Sequence, residues 1–331
     1  MAKTSRSKWF LLALVALIIV GALAFFMGPR TPVSTEITFD RSAIGDDVDS
    51  YLDKGEGGFD DIREGLGKRV VWAYPLSRAR TPLSIVYLHG FSASSAEIQP
   101  VMDIVADAVG ANLFYTRLTG HGRTGPAMAE ASVKSWINDV AEAVAIGDTI
   151  GERTILVGTS TGGSLVTWAA AQPELTANLA GIINISPNYG IQAFGSQILT
   201  APWAKQLVRL IQGEIRSFEP ANELHAQYWT TEYPSEALLP MAELVRLTNQ
   251  SAFENMTVPA LFIYSEADTV VRPEITARVA ARWGADSEVV LIENSDDKDN
   301  HVIAGDALSP STTEDTAQII IDWISRLPAS N

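Results

Sequence analysis

Short apolar segments alternate with helical patterns over most of the chain, and this alternation limits the folds that the chain can adopt. Buried strands are predicted at residues 84–90 and 154–158. The other predicted strands are residues 69–74, 112–116, 181–186, 260–265 and 288–293, and the helices are residues 96–109, 132–150, 162–171, 273–283 and 314–326. Such alternation predicts an α/β fold with a mostly parallel central sheet flanked by helices.

The alternation stops between Pro187 and about Val258. Two helical patterns, near residues 201–211 and 236–247, lie there among aromatic residues with no strand pattern between them. The length of 331 residues and the apolar content of 47% fit one large domain with an appendage. We therefore interpret residues 68–331 as one α/β domain with an inserted helical cap at about residues 187–258.

The first thirty residues differ from the rest of the chain. Lys3, Arg6 and Lys8 precede an uncharged run, residues 9–27, whose nineteen residues would extend about 28 Å as a helix, close to the thickness of a bilayer's hydrocarbon core. Residues 1–30 are therefore predicted to be a membrane anchor, or else a secretory signal peptide cleaved after Ala24. Because the basic residues lie on the N-terminal side, the domain is expected outside the cytoplasm, in a bacterial periplasm, or secreted if the segment is cleaved.

Charge and composition exclude several classes of function. The formal net charge of −15 repels phosphate backbones, so no nucleic-acid partner is expected. The chain has no cysteine, which excludes disulfides, thiolate catalysis and cysteine-ligated metal sites. Residues 31–67 are acidic but lack the spacing of a calcium loop, so they are predicted to form a solvated acidic connector. No metal and no cofactor is expected.

The segment "GTSTG" places Ser160 between a buried strand and a helix. This strand–turn–helix setting is typical of a nucleophile elbow, where Gly158 and Gly162 remove side chains that would clash around the tight turn. The helix that follows brings the Thr161 N–H and the local dipole close to the serine hydroxyl. Ser160 is therefore the candidate nucleophile.

A serine needs a base, and the base needs a carboxylate that orients it. His301 follows the last predicted strand and precedes the final helix, so its loop can fold back over Ser160. Asp268 lies just beyond the strand at residues 260–265, and Glu266, nearer that strand, is the competing acid. The order Ser160, Asp268, His301 is the one expected of this architecture.

Five segments in this order resemble the α/β-hydrolase superfamily, within it the monoacylglycerol lipase and serine-aminopeptidase-like group of bacterial esterases. The elbow, the acid loop "SEADTVV" and the histidine loop are joined by "YLHGFSAS" and "RLTGHGRTG". The resemblance implies the α/β-hydrolase fold, and it implies that Phe91 N–H, in the loop after an early strand, is an oxyanion donor beside Thr161 N–H. The chain departs from the lipase members in having threonines on both sides of Ser160.

These features together predict a serine hydrolase that cleaves lipid or short acyl esters through an acyl-enzyme on Ser160. Aromatic residues of the cap, Trp203, Tyr228 and Trp229 among them, are expected to bind the substrate, although some can instead form the cap's own core. Two alternatives stay open. One is a peptidase or other hydrolase with the same triad, and the other is an inactive membrane-anchored binding protein.

Overall fold

The computed structural model describes residues 3–328, with side chains from Lys8 onward, so the side chains of Lys3 and Arg6 lie outside the described part. The α-helices are α1 (Lys3–Phe26), α2 (Val48–Glu56), α3 (Val101–Val109), α4 (Val133–Ile150), α5 (Thr161–Ala170), α6 (Pro173–Thr176), α7 (Ala204–Gln212), α8 (Glu223–Tyr228), α9 (Leu238–Thr248), α10 (Pro273–Ala281) and α11 (Thr313–Ser325). The strands are β1 (Arg69–Val71), β2 (Thr81–Leu88), β3 (Asn112–Tyr115), β4 (Gly151–Thr159), β5 (Leu179–Ile185), β6 (Ile215–Ser217), β7 (Glu232–Pro234), β8 (Ala260–Tyr264) and β9 (Ser287–Leu291).

The core of the molecule is a seven-stranded sheet in the order β1-β3-β2-β4-β5-β8-β9. All neighbours in it are parallel except β1, which runs antiparallel to β3. The seven predicted strands all lie in this sheet, and the prediction of a mostly parallel sheet flanked by helices is confirmed.

Side chains of each central strand alternate between two buried layers. Along β2, Ile85 and Tyr87 pack in the layer that contains α3 and α11, while Val86 and Leu88 pack in the layer that contains α4, α5 and α9. Because both faces are covered, these strands are apolar on both sides, which explains why they appear in the sequence as unbroken apolar runs.

The acidic segment before β1 is more ordered than a solvated connector. Asp47 caps α2 by accepting a hydrogen bond from the backbone of Ser50. Ile44, Val48 and Leu52 are each 4% exposed and join the core layer of α4. Most aspartates of this segment face water, although Asp49 and Asp61 are partly buried and accept hydrogen bonds from Trp72 and Arg123. The apolar residues, spaced four apart, pack on the domain.

The segment between β5 and β8, which we call the insertion (residues 187–258), lies over the carboxyl edge of the sheet. It contains α7, α8, α9 and a two-stranded antiparallel ribbon of β6 and β7, which the sequence pattern did not predict. Leu238 and Leu244 of α9 are buried in the core layer that also contains α5, so α9 fixes the insertion to the sheet domain.

Helix α1 stands apart from this core. Within residues 3–328, one helical segment, Lys8–Phe26, is long and apolar enough to cross a membrane. Its mean hydropathy is 2.8, and none of it is buried against the rest of the protein. Its side chains are exposed all round, as expected of a helix whose partner is lipid or of a signal segment.

Candidate active site

Ser160 lies on a sharp turn between β4 and α5. Its φ of 53° and ψ of −111° place it in a region that residues with a side chain rarely adopt. The backbone N–H of Ser160 donates to Ile185 O (3.0 Å), and its carbonyl accepts from Asn188 N (2.9 Å). The end of β5 therefore holds the strained turn in place.

Two glycines make this turn possible by allowing close backbone approach. A Cβ placed on Gly158 would lie 2.3 Å from the carbonyl carbon of Gly162, and one placed on Gly162 would lie 2.0 Å from Leu88 O. Any larger residue would push α5 away from β4 or β2, so the elbow requires glycine at both positions.

A chain of hydrogen bonds connects Ser160, His301 and Asp268. The Ser160 Oγ lies 3.0 Å from His301 Nε2, and His301 Nδ1 lies 2.7 Å from Asp268 Oδ2. The three side chains come from the turn after β4, the loop after β8 and the loop after β9, and all three residues are less than a tenth exposed. The structure thus brings together the three residues that the sequence order selected.

The Asp268 carboxylate is fixed by its own loop. Its Oδ1 accepts hydrogen bonds from Val270 N (2.8 Å) and Val271 N (2.9 Å), which leaves Oδ2 for His301. Glu266, the competing acid, is exposed to solvent at the end of the same strand. This arrangement favours Asp268 as the partner of the imidazole.

The surroundings of His301 favour its charged form. Burial alone lowers the pKa of the imidazole, but the carboxylate of Asp268, with smaller contributions from Asp297 and Glu97, raises that pKa above its ordinary value. A base whose protonated form is stabilised in this way accepts a proton from a neighbouring hydroxyl more readily.

Asp297 also belongs to this site, although it is not among the residues predicted from the sequence. Its Oδ2 accepts hydrogen bonds from the backbone of His301 and of Val302, each at 3.0 Å, and its side chain is nearly buried. It therefore holds the histidine loop in the conformation in which the imidazole reaches Ser160.

The loop after β2 brings the Gly90–Phe91 peptide beside Ser160. A Cβ placed on Gly90 would lie 3.3 Å from the Cβ of Ser160. Thr161 follows Ser160 directly as the first residue of α5, where backbone amides have no partner within the helix. The Gly90–Phe91 peptide and the Ser160–Thr161 peptide therefore both lie next to the serine.

Two buried histidines hold this loop. His89 Nε2 accepts from Leu118 N (3.0 Å), so its Nδ1 carries the proton and donates to Gly90 O (2.9 Å). His121 Nε2 accepts from Ser92 N (3.0 Å) in the same way. Burial lowers the pKa of His89 to about 4 and that of His121 well below its ordinary value, so both rings are neutral at pH 7.

Glu97 is a second acidic residue of the site that no pattern in the sequence predicts. Its Oε1 accepts a hydrogen bond from Gly90 N (2.6 Å) and lies 2.8 Å from the Tyr87 hydroxyl, which in turn lies 2.7 Å from Thr159 Oγ1. Burial raises the pKa of this carboxyl to about 7. Glu97 thereby connects the loop of Phe91 to the residue that precedes Ser160.

A cleft of about 750 Å³ opens above Ser160, between the sheet domain and the insertion. Most of its walls are apolar, and they include Phe91, Ile191, Phe194, Leu199, Val208, Phe218, Trp229, Leu238 and Met241. The size and lining suit an apolar chain of a small ligand. Within residues 3–328, no group of three or more His, Asp or Glu side chains is placed to hold a metal ion.

The predicted substrate-binding residues lie in different places. Trp229 lines the cleft, whereas Trp203 and Tyr228 are not among its lining residues. Trp203 instead contacts the end of α1, and Tyr228 packs beside Trp229 in a small separate cluster. His225 of α8 is half-buried and lines the cleft, with its ring centroid 4.6 Å from that of Trp229.

Comparison with known proteins gives one family match. The profile of the hydrolase family described as "Serine aminopeptidase, S33" matches residues 80–295, well over half of the chain. The matched range contains Phe91, Ser160 and Asp268. A search of curated proteins found no match.

Solved structures with the same fold include several lipolytic enzymes. One is from the metagenome-derived pair LipS and LipT (TM-score 0.60, 19% identity, 80% of this chain and 99% of that chain). A soluble variant of monoglyceride lipase from Saccharomyces cerevisiae has a TM-score of 0.61 at 14% identity over 80% of this chain and 92% of that one. The monoacylglycerol lipase of Paleococcus ferrophilus has a TM-score of 0.56 at 15% identity, over 78% of this chain and 97% of that one. At such low identities these likenesses show a shared α/β-hydrolase fold.

Proposed function

The chain belongs to the serine aminopeptidase S33 family of hydrolases, and on this premise we propose that it hydrolyses lipid or short acyl esters through an acyl-enzyme on Ser160. The observation that carries the proposal is the chain of hydrogen bonds from Ser160 Oγ through His301 to Asp268 at the base of an apolar cleft. No step of this reaction calls for a metal or an organic cofactor.

In the first half of the reaction, His301 Nε2 takes the proton of Ser160 as Oγ attacks the ester carbonyl carbon. The carbonyl oxygen becomes an oxyanion that accepts hydrogen bonds from Phe91 N–H and Thr161 N–H. Removal of one such donor typically costs about 3 kcal/mol of transition-state stabilisation. His301 then gives its proton to the leaving alcohol oxygen, the C–O bond breaks, and the acyl group stays on Ser160.

In the second half, water replaces the alcohol. His301 takes a proton from the water as its oxygen attacks the acyl carbon, and the same two amides hold the second oxyanion. The bond to Oγ then breaks, and Ser160 recovers its proton from His301. The carboxylate of Asp268 stabilises the imidazolium in both halves and keeps the ring oriented.

The apolar walls of the cleft support an acyl chain as the ligand. Phe194, Phe218, Leu238, Met241 and Trp229 line the cleft with side chains that can exclude water from a hydrocarbon chain. A lipid or short acyl ester therefore fits this cleft better than a charged ligand does.

We also propose that α1 anchors the enzyme to a membrane with the hydrolase domain outside the cytoplasm. The length and hydropathy of Lys8–Phe26 support this, and the exposure of its side chains on all sides is consistent with a lipid environment. The competing interpretation is a secretory signal peptide, which would release the same domain.

The reaction is tested by a fluorophosphonate probe, which attaches only to a serine whose hydroxyl has been activated. Wild-type protein should be labelled and should hydrolyse p-nitrophenyl butyrate. Ser160→Ala should lose both properties, with activity reduced by about three orders of magnitude or more, while its melting temperature stays unchanged. Absence of labelling in folded wild-type protein would favour the inactive binding protein.

A peptidase is the second candidate, and one observation favours it. Glu219 lines the cleft and is the kind of residue that could bind a substrate's free amino group. Aminoacyl p-nitroanilides and 1-monooleoylglycerol should be compared on the same preparation. A higher kcat/KM on the anilides that falls in Glu219→Gln, without loss on the glycerol ester, would identify the peptidase.

A further inference from the structure

The end of α1 is attached to the insertion by a specific set of contacts. Trp203 N donates to Pro29 O (2.8 Å), and Trp203 Nε1 donates to Ala24 O (3.3 Å). Arg30 Nη1 donates to Thr200 O (3.4 Å). The segment that leaves the predicted membrane span therefore contacts the residue that begins α7.

Gly28 allows this contact to be close. A Cβ placed on Gly28 would lie 1.9 Å from Trp203 Nε1 and 2.3 Å from Cδ1 of the same indole. The indole thus packs directly on the backbone at the end of the span. A tryptophan at the end of a predicted span matches the usual enrichment of that residue at membrane–water interfaces.

Helix α7 leads from this contact to the mouth of the cleft. Ile211 is eight residues after Trp203, or about 12 Å along the helix, and it lines the cleft. Phe194, also a lining residue, is wholly exposed, and Leu210 is 82% exposed. Ile215, just after α7, is half-exposed. We call Phe194, Leu210, Ile211 and Ile215 the cap face.

The distance from the span to the cap face is comparable to the depth of the bilayer interface. The headgroup layer on each side of a bilayer is about 5–8 Å thick, and an interfacial helix sinks its apolar side about 5–10 Å into it. Leu210 and Ile211, which lie no more than about 12 Å along α7 from Trp203, are therefore within reach of the lipid.

We propose that the cap face docks on the surface of the bilayer that α1 spans, held there by the contact between Gly28 and Trp203, so that the acyl substrate enters the cleft directly from the membrane. This rests on the proposed ester hydrolase and on α1 as an uncleaved anchor. It assigns Trp203 to orienting the molecule on the membrane, a role different from the substrate contact expected from the sequence.

The docking is measured without any reference to activity. The chain has no cysteine, so Leu210→Cys in full-length Ser160→Ala protein can carry one NBD fluorophore. Leu76→Cys is the matched control, because Leu76 is wholly exposed in the turn before β2, at the opposite edge of the sheet. In phosphatidylcholine vesicles with nitroxide-labelled lipid, quenching should be at least about twofold greater at position 210 than at position 76.

Equal quenching at the two positions overturns the proposal. So does a blue shift at position 210 without quenching by the lipid nitroxide, because this indicates a second copy of the chain on the cap face. Recovery of wild-type protein cleaved after Ala24 overturns it as well, since the span is then gone.

Activity gives a second measurement. Leu210→Asp should raise the KM for 1-monooleoylglycerol in vesicles about tenfold and leave kcat/KM for soluble p-nitrophenyl butyrate within about twofold, while Leu76→Asp changes neither. An unchanged KM for the vesicle substrate in Leu210→Asp contradicts direct entry from the membrane. If wild-type protein hydrolyses neither substrate but the label at position 210 is still quenched, the proposed ester hydrolase activity is wrong and the docking surface is supported.

The contact between Gly28 and Trp203 is tested by comparing two glycine variants, one at the contact and one away from it. Gly28→Leu, just after α1, must displace the indole of Trp203, whereas a Cβ at Gly21, within α1, has nothing within 4 Å, so Gly21→Leu is the control. Both variants should remain in the membrane fraction. Only Gly28→Leu should lose quenching at position 210, and equal quenching in the two variants would show that this contact does not orient the cap face.

Discussion

Among the described residues, two histidines line the cleft, and they differ in what they contact. His301 Nε2 is 3.0 Å from Ser160 Oγ, whereas His225 packs on Trp229 and accepts a hydrogen bond from Ala221 N. His301→Ala should reduce kcat on p-nitrophenyl butyrate by at least about three orders of magnitude, and His225→Ala by less than about tenfold. Steady-state kinetics on both variants, with melting temperatures, check this. Equal losses would mean that the base is misassigned.

The pH profile of kcat/KM should report the carboxylate beside the base. His301 must be neutral to accept a proton, so activity falls as the pH drops through its pKa, and Asp268 raises that pKa. Asp268→Asn should therefore move the acidic limb to lower pH and reduce the maximum rate by about four orders of magnitude.

Glu266→Gln is the control for Asp268, because that side chain is exposed on the same loop. Glu266→Gln should leave both the acidic limb of the pH profile and the maximum rate close to those of the wild type. If Glu266→Gln gave the larger loss, the acid of the triad would be Glu266.

The chain order of Ser160, Asp268 and His301 predicted the residues that the structure brings together, because each follows a strand of a parallel sheet. Glu97 and Asp297 could not be found in the same way. Both accept hydrogen bonds from backbone amides of loops, and such contacts require only a carboxylate at the right place, with no pattern in the sequence.

Helix α2 carries the main structural surprise among the elements. Its Leu52 is 4% exposed, and Tyr51 Oη donates to Glu142 Oε1 of α4 (2.6 Å). Leu52→Ala in a chain starting at Val33 should lower the free energy of unfolding by about 2–4 kcal/mol, through lost burial and a residual cavity. Urea unfolding measures this, with the exposed Leu76→Ala as the matched control. If Leu52→Ala lowers the free energy of unfolding by less than about 0.5 kcal/mol, α2 does not pack as described.

The strands were predictable because burial on both faces leaves an unbroken apolar run. The signal of α2 was present as well, in the spacing of Ile44, Val48 and Leu52, but the surrounding aspartates dominated the composition. The path of the insertion had no comparable signal. Periodicity predicts α7 as a helix, but it does not say that Trp203 at its start contacts α1 rather than the cleft.

At the scale of the whole molecule, the anchor and the hydrolase should be separable. Thr38 N and Phe39 N donate to Asn138 Oδ1 (2.7 and 2.8 Å), and Val33 packs against the core, so the chain is fixed to the domain from about Val33. A protein starting at Val33 should be soluble and should hydrolyse p-nitrophenyl butyrate at the wild-type rate. Inclusion bodies or an inactive soluble product would contradict this.

On the proposed anchor, the full-length protein should sediment with membranes and resist extraction with alkaline carbonate, because residues 8–26 are long and apolar enough to span the bilayer. Intact-mass measurement distinguishes the two interpretations of this segment. The complete mass in the membrane fraction supports the anchor, and loss of the residues up to Ala24 indicates a released enzyme.

The order of the strands also sets the time at which the enzyme becomes active during its synthesis. The histidine loop follows β9, an edge strand that pairs only with β8, and Gly305 N in that loop donates to Thr313 Oγ1 of α11. The base therefore reaches Ser160 only after α11 has left the ribosome and packed. A nascent chain in which α11 has not yet packed is therefore expected to hold Ser160 without its base.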